Sequence, residues 1–446
     1  MRERTFYNEH TEVANGVTYV IDEIGTLKRV IREVDCDSAM DLFIPDKFES
    51  GGRILSIASC AFRGKYGKIT ISNGIENIED HAFFKVTADE VQWSRSCKTI
   101  PKFCFCESEI SSVTNTEEVE TVETRAFERC RIQYLVWPSN CKTIPSECFH
   151  GSYIASISNT NNVEVVEEEA FAEFGTNEMV WPEKCPTVPS KCFYHCYMNF
   201  FDMNKAEKAG SSAFSQCTIG SIAWSDKCKT IPKHCFSYSH FEELTNISHV
   251  TKIEEYAFSS CDWLEEITWP SKCHRIPQGC FCDSKNLKCV LNIDHVTQMG
   301  IGPFQNSGIE SFTWPSKCKA IPRDCFMCSA LTSITNTENV REIKPGAFKF
   351  SHIKEFVWPG ECKVIPRNCF EFTPLREICN LKSVEEIQRM AFFDCRNLNF
   401  VGLEKDAVHS VLTDSDERHL VNLKGMKNYD PTQLITMRLR RTIASM

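Results

Sequence analysis

The chain has 446 residues, 42% of them hydrophobic and 25% charged, and a formal net charge of −10. That length exceeds one ordinary globular core and by itself predicts two to four domains. The acidic balance disfavours nucleic acid as a partner, because phosphate binding wants a basic face, and no apolar run is long enough to predict a membrane span.

Residues Met1 to His10 are polar, with no apolar stretch behind them, which predicts no cleaved secretory signal. Two apolar runs follow, Val17 to Asp22 and Leu27 to Ile31, joined by a glycine-containing turn. They predict a β-hairpin cap over residues 1–50.

From about residue 51 to 403 the sequence is periodic. Trp93, Trp137, Trp181, Trp224, Trp269, Trp314 and Trp358 recur at 43 to 45 residues. A cysteine lies four residues after each: Cys97, Cys141, Cys185, Cys228, Cys273, Cys318 and Cys362. A second lies seven further on, directly before a phenylalanine: Cys104, Cys148, Cys192, Cys235, Cys280, Cys325 and Cys369. Between these Cys-Phe sites, of which Cys104-Phe105 and Cys148-Phe149 are two, lie Ala-Phe sites such as Phe127 and Phe171. Interleaved, the two series place phenylalanine every 21 to 23 residues from Phe62 to Phe392, which makes sixteen coils in 44-residue pairs.

One coil type runs Ile132-x-x-Leu135-x-Trp137-Pro138, then Cys141, Ile144-Pro145 and Cys148-Phe149. The other runs Ile110-x-x-Val113-x-Asn115, then Val119, Val122, Ala126-Phe127 and Cys130. A coil this short cannot bury its apolar side alone, so the pattern predicts a β-rich solenoid of leucine-rich-repeat type, whose coils stack like side chains into one core. The spacing is irregular near Phe201 to Asn204, where a residue is lost, and near Met299 to Pro303, where one is gained; both predict bends or bulges. After Leu403 the repeat stops. Helical start signals at Asp414 and Asp430-Pro431 predict a helical cap or tail over 404–446, with a basic end at Arg438, Arg440 and Arg441.

The string Ile75-Glu76-Asn77-Ile78-Glu79-Asp80-His81-Ala82-Phe83 resembles the BspA-like leucine-rich repeat of protists and bacteria. The resemblance recurs in register over about residues 50 to 403, and the Trp-Pro/Cys-Phe coil departs from the family's commoner pattern. It implies a cell-surface adhesin as one role.

Twenty-six cysteines in a secreted chain would imply a disulfide scaffold. Here Cys104 alternates in its column with Ala82 and Ala126, and Cys97 with Ile75 and Val119. Like positions two coils apart are separated by roughly 9–10 Å, beyond disulfide reach. The cysteines therefore read as buried thiols used for packing, in a reducing compartment. Cys325-x-x-Cys328 is the nearest approach to a zinc half-site and has no second half. The tryptophans read as core side chains in the third apolar position of each strand. Exposed indoles would instead make a ladder for sugars. Asn115, Asn159, Asn246, Asn292, Asn336 and Asn380 share the tryptophan column and read as a structural ladder whose amides neighbouring backbone must satisfy. Asn246-Ile247-Ser248 is a glycosylation sequon on that ladder.

No catalytic string of the nucleophile-elbow, phosphate-loop, dinucleotide or metalloprotease kind occurs. The expectation is a non-catalytic scaffold for protein partners, with no cofactor, no metal, no catalytic residue and no assigned binding residue. Its expected place is the cytoplasm or a cytoskeletal assembly. The alternatives are an adhesin brought to the cell surface by unconventional export and, less favoured, a carbohydrate-binding module.

Overall fold

The structure is a computed structural model and describes residues 9–15, 17–32, 39–62, 64–396 and 398–400. The helical cap expected over 404–446 lies outside the described residues. Two units divide the chain, Met1–Val250 and Thr251–Met446. Both are β-solenoids built from the same coil, and together they carry the sixteen coils.

The first unit begins with three antiparallel strands, Glu9–Ala14, Val17–Asp22 and Thr26–Arg32. Asp22, its side chain buried, holds the second turn. Its carboxylate accepts from the backbone of Thr26 at 2.7 Å and of Ile24 at 3.1 Å, and pairs with Lys28 at 3.1 Å. Beyond this cap all pairing between coils is parallel. One sheet joins the six strands from Met40–Ile44 to Tyr153–Ser158, and another joins Glu178–Val180, Tyr197–Asp202, Thr218–Ala223 and His240–Thr245. In the second unit the corresponding strands are three residues long, as in Glu266–Thr268 and Ser311–Thr313, and pair two or three at a time. The return segment of each coil contributes a two-residue strand, such as Thr143–Ile144 against Val165–Val166.

Each coil then turns at its phenylalanine. The residues two before and two after that phenylalanine are left-handed in every coil, for example Arg125 (φ 58°) and Arg129 (φ 51°) around Phe127. A left-handed L-residue costs roughly 1–2 kcal/mol. What offsets it is the peptide flip: Phe127 and Arg129 donate their N–H groups to Cys148 and His150 of the next coil, while Glu128 bonds back to Arg125 within its own turn. The turn thereby becomes a third hydrogen-bonded edge of the solenoid, and its buried amides are paired.

Inside, the phenylalanines stack. Ring centroids from Phe62 to Phe236 in the first unit follow one another at 4.6 to 5.8 Å, nearly parallel. The second unit repeats this from Phe258 to Phe392 at 5.2 to 6.0 Å. Offset-stacked rings at such distances add about 0.5–1.5 kcal/mol per pair beyond burial.

Both irregular coils keep their strand register: Thr187 pairs with Lys208, and Arg275 with Gln298. Each has a glycine, Gly210 or Gly300, where most other coils carry proline or glutamate. A Cβ on Gly210 would sit 2.4 Å from the Ser190 nitrogen, and one on Gly300 would sit 2.3 Å from that of Gln278. At both glycines the adjacent backbones approach closely.

Candidate protein-binding face

The residues that mark the repeat all lie inside. Trp93, Trp137, Trp181, Trp224, Trp269, Trp314 and Trp358 are 0–1% exposed. Each indole N–H donates to the carbonyl of the cysteine four residues on, at 2.8 to 3.1 Å. A ring closed in this way has no face for a sugar, so the carbohydrate-binding reading, which needs exposed tryptophans, is withdrawn. Phe105, Phe127, Phe149 and Phe171 are buried in the ring stack.

The asparagine column works with the tryptophans. Asn115, Asn159, Asn246, Asn292, Asn336 and Asn380 are left-handed, a conformation asparagine tolerates better than most residues. Each side-chain amide donates to the carbonyl of the tryptophan one coil earlier, at 2.6 to 2.9 Å. Asn204, one residue beyond the register position, does the same for Trp181 at 3.2 Å, a seventh such bond that the altered spacing hides in the sequence. The sequon asparagine, Asn246, is one of these bonded amides.

Besides the cysteines whose carbonyls accept from the indoles, two further columns carry cysteine. Cys104, Cys148, Cys192, Cys235, Cys280, Cys325 and Cys369 alternate with alanine, and once with Pro303, beside the ring stack and are fully buried. Burial pushes the Cys148 thiol far above the ordinary thiol range. Three residues after each phenylalanine lies a different column, mostly serine, cysteine or threonine. There Ser152 donates to the Phe127 carbonyl, Cys196 to Phe171 at 2.7 Å, and Cys217 to Phe193 at 2.6 Å. Cysteine replaces serine as a hydrogen-bond donor at these sites. All twenty-five described cysteines are free thiols, and only Cys328 is exposed. Among the described residues no group of three or more His, Cys, Asp or Glu side chains could hold a metal.

Three carboxylates of the return side are tied to backbone. Glu79 accepts from the Ser59 N–H at 3.1 Å, Glu123 from Lys102 at 3.1 Å and Glu167 from Ser146 at 2.8 Å. Glu79 and Glu123 line a shallow acidic recess with Glu76, Asp80 and His81. Their bonds to the preceding coil give these two carboxylates a structural occupation.

The outer side of the sheet in the first unit differs from all of this. Its strands bury two residues and leave the others outward; in Arg131–Val136 the buried pair is Ile132 and Leu135. In most coils the outward positions are polar. Over residues 131–202 six of them are apolar: Tyr134 (64% exposed), Val136, Tyr153, Val180 (54%), Tyr197 (59%) and Phe200. Parallel register sets them on one face, each with a polar residue or glycine as its direct register partner. Tyr153 and Tyr197 flank Gly175, which leaves both rings room, and Tyr134 faces Ser156 as Phe200 faces Glu178. The Arg131 guanidinium lies 5.6 Å from the Tyr153 ring centroid, a cation–π distance. Toward the N-terminal side the face turns charged: Glu90 accepts from the Thr114 hydroxyl at 2.6 Å and pairs with Lys68 at 3.1 Å. The Thr114 hydrogen bond, with Lys68, holds the Glu90 carboxyl below its ordinary value against the opposing effect of burial. Exposed aromatic side chains interleaved with polar groups on one face of a sheet have the make-up of an interaction surface.

This architecture defines a leucine-rich-repeat solenoid. The family model described as the BspA type leucine-rich repeat region, in six copies, matches residues 43–156, 164–288, 207–327, 264–375 and 289–399. The chain belongs to the BspA type leucine-rich repeat family. Among solved structures it is similar to a leucine-rich repeat protein from Bacteroides ovatus, at 16% identity and a TM-score of 0.51, covering 92% of this chain and 97% of that one. It also matches a leucine-rich cell surface protein from Faecalibacterium prausnitzii, at 15% identity and a TM-score of 0.34, over 91% and 98% of the two chains. The pneumococcal vaccine antigen PcpA matches at 14% and 0.37, over 91% and 98%. No curated protein matches the sequence. The expected fold and family are borne out. Among the described residues no helix is long and apolar enough to cross a membrane.

Proposed function

We propose that the chain is a non-catalytic scaffold that binds protein partners through the outer sheet face of the first unit. The observation that carries this reading is the set of six exposed apolar side chains on one face of the parallel strands between Arg131 and Asp202. Rigid tyrosines supply contact area at low entropic cost and are favoured at binding hot spots. The coil design supports the same reading, because it uses up its tryptophans, cysteines and return-side carboxylates in holding coils together. The reduced, packed thiols favour a cytoplasmic or cytoskeletal setting. A cell-surface adhesin is the second reading, and family membership is what favours it.

The test uses full-length protein as bait in extracts of the cells that express it. Proteins retained by the wild type are expected to be lost with the Tyr134→Ser/Tyr197→Ser variant and kept by Tyr238→Ser, which alters an exposed tyrosine at the turn. Equal retention by all three would refute the face. For location, titration of the denatured, unreduced protein is expected to find about twenty-six free thiols; mostly disulfides would sink the cytoplasmic reading.

A further inference from the structure

The serine/cysteine/threonine column three residues after each phenylalanine has a unique step. Cysteines occur in it at Cys130, Cys196, Cys217, Cys261 and Cys395. Cys196 and Cys217 occupy it in consecutive coils, and among the described residues no other two cysteines share a column in adjacent coils. They directly precede Tyr197 and Thr218, which are register partners, and the Thr218 N–H donates to the Cys196 carbonyl at 2.8 Å. Adjacent parallel strands lie about 4.8 Å apart, inside the Cα range that a disulfide spans, about 4.4–6.8 Å. Both thiols point the same way, each toward the carbonyl of the phenylalanine one coil earlier. Elsewhere in the column a cysteine has serine, a larger side chain or no thiol on either side, so neither neighbour can pair with it.

We propose that Cys196 and Cys217 are a site of reversible covalent modification, an intramolecular disulfide that staples two neighbouring coils directly behind Tyr197 and Phe200. In the step each thiol gives up one proton and one electron, the S–S bond forms, and the two protons and two electrons pass to a two-electron thiol oxidant. With a diazenedicarboxamide as oxidant, its N=N bond is reduced to the hydrazine. A dithiol reductant reverses the step. Both thiols leave their carbonyl partners when the bond forms, and the loop closed between them is short, 21 positions along the chain. The pair stands on coil geometry and is independent of any partner.

The experiment treats native, fully reduced protein with diamide, alkylates the remaining thiols and maps the peptides by mass spectrometry. A Cys196–Cys217 link, two hydrogens lighter than the reduced pair, is expected, together with a rise of roughly 5 °C in unfolding midpoint that reverses on reduction. Cys196→Ser, which places the column's own alternative residue there, is expected to fold with the midpoint of the reduced wild type and show neither effect. The proposal is overturned if both thiols of the native protein remain alkylatable while exposed Cys328 is consumed, or if the link appears only in denaturant. A linked protein with a lowered midpoint would overturn it as well, since that would mean the bond strains the coils.

Discussion

In the first unit the outward residues around the middle of the sheet are Tyr134, Val136, Tyr153, Val180, Tyr197 and Phe200. In the second unit the corresponding strands carry Glu266 and Thr268, Ser311 and Thr313, and Glu355 and Val357 at exposed positions. Beneath these unlike surfaces the two units are the same: a buried tryptophan bonded to a cysteine carbonyl, an asparagine bonded to the tryptophan, and a stacked phenylalanine in each turn. The lesson is that inward columns must pack against the neighbours above and below in a closed core, whereas outward positions keep one side to solvent and can vary. Departures from the common pattern on the outside are where a partner can be read.

The comparison breaks most easily at its shared part. Trp137→Ala and Trp358→Ala should each destabilise by about 3–5 kcal/mol, because both indoles are fully buried and both leave a cysteine carbonyl without its donor. Denaturant unfolding would measure it, and a neutral effect in either unit would show that the two cores are not alike. Next comes the unlike part. Tyr134→Ser/Tyr197→Ser should cost about 2–4 kcal/mol in affinity for any partner captured by the wild type, with stability changed by less than about 1 kcal/mol. Glu355→Ser in the second unit should leave that affinity within a factor of about two; calorimetric titration would compare them, and equal losses would remove the distinction between the faces.

The two cysteine columns give a smaller contrast. Cys148→Ser puts a hydroxyl in an alanine-and-phenylalanine packing site and should cost about 1–3 kcal/mol. Cys217→Ser should stay within about 1 kcal/mol, since its site already accepts a donor hydrogen bond. The smallest effect is the pH dependence at the charged end of the first face. The Thr114 hydrogen bond and Lys68 depress the folded-state pKa of Glu90, so its contribution is present above the unfolded-state value and is lost as pH falls through the folded one. The midpoint difference between wild type and Glu90→Gln should therefore be present at neutral pH and vanish below the carboxylate range. A difference that grows on acidification would reverse the assignment.

The sequence by itself determined the coil. Its length, its two alternating types and the inward direction of Trp137, Cys148 and Phe149 are legible because stacked coils place like residues on like residues, and burial then enforces a fixed period. The donor column of Ser152, Cys196 and Cys217 was legible in principle as a repeat of small polar residues, but its chemistry depends on a carbonyl in another coil. Three things were left to the tertiary structure. Asn204 reaches the Trp181 carbonyl although Met203 holds the register position opposite Trp181, which only the pairing of the coils reveals. The left-handed residues beside each phenylalanine have no common residue type, since what selects them is the inter-coil hydrogen bond. Tyr134, Tyr153, Tyr197 and Phe200 form a surface only once strands some twenty residues apart in sequence lie side by side, about 4.8 Å apart. Periodicity fixes what must be buried, and only the pairing of coils decides what the exposed positions become together.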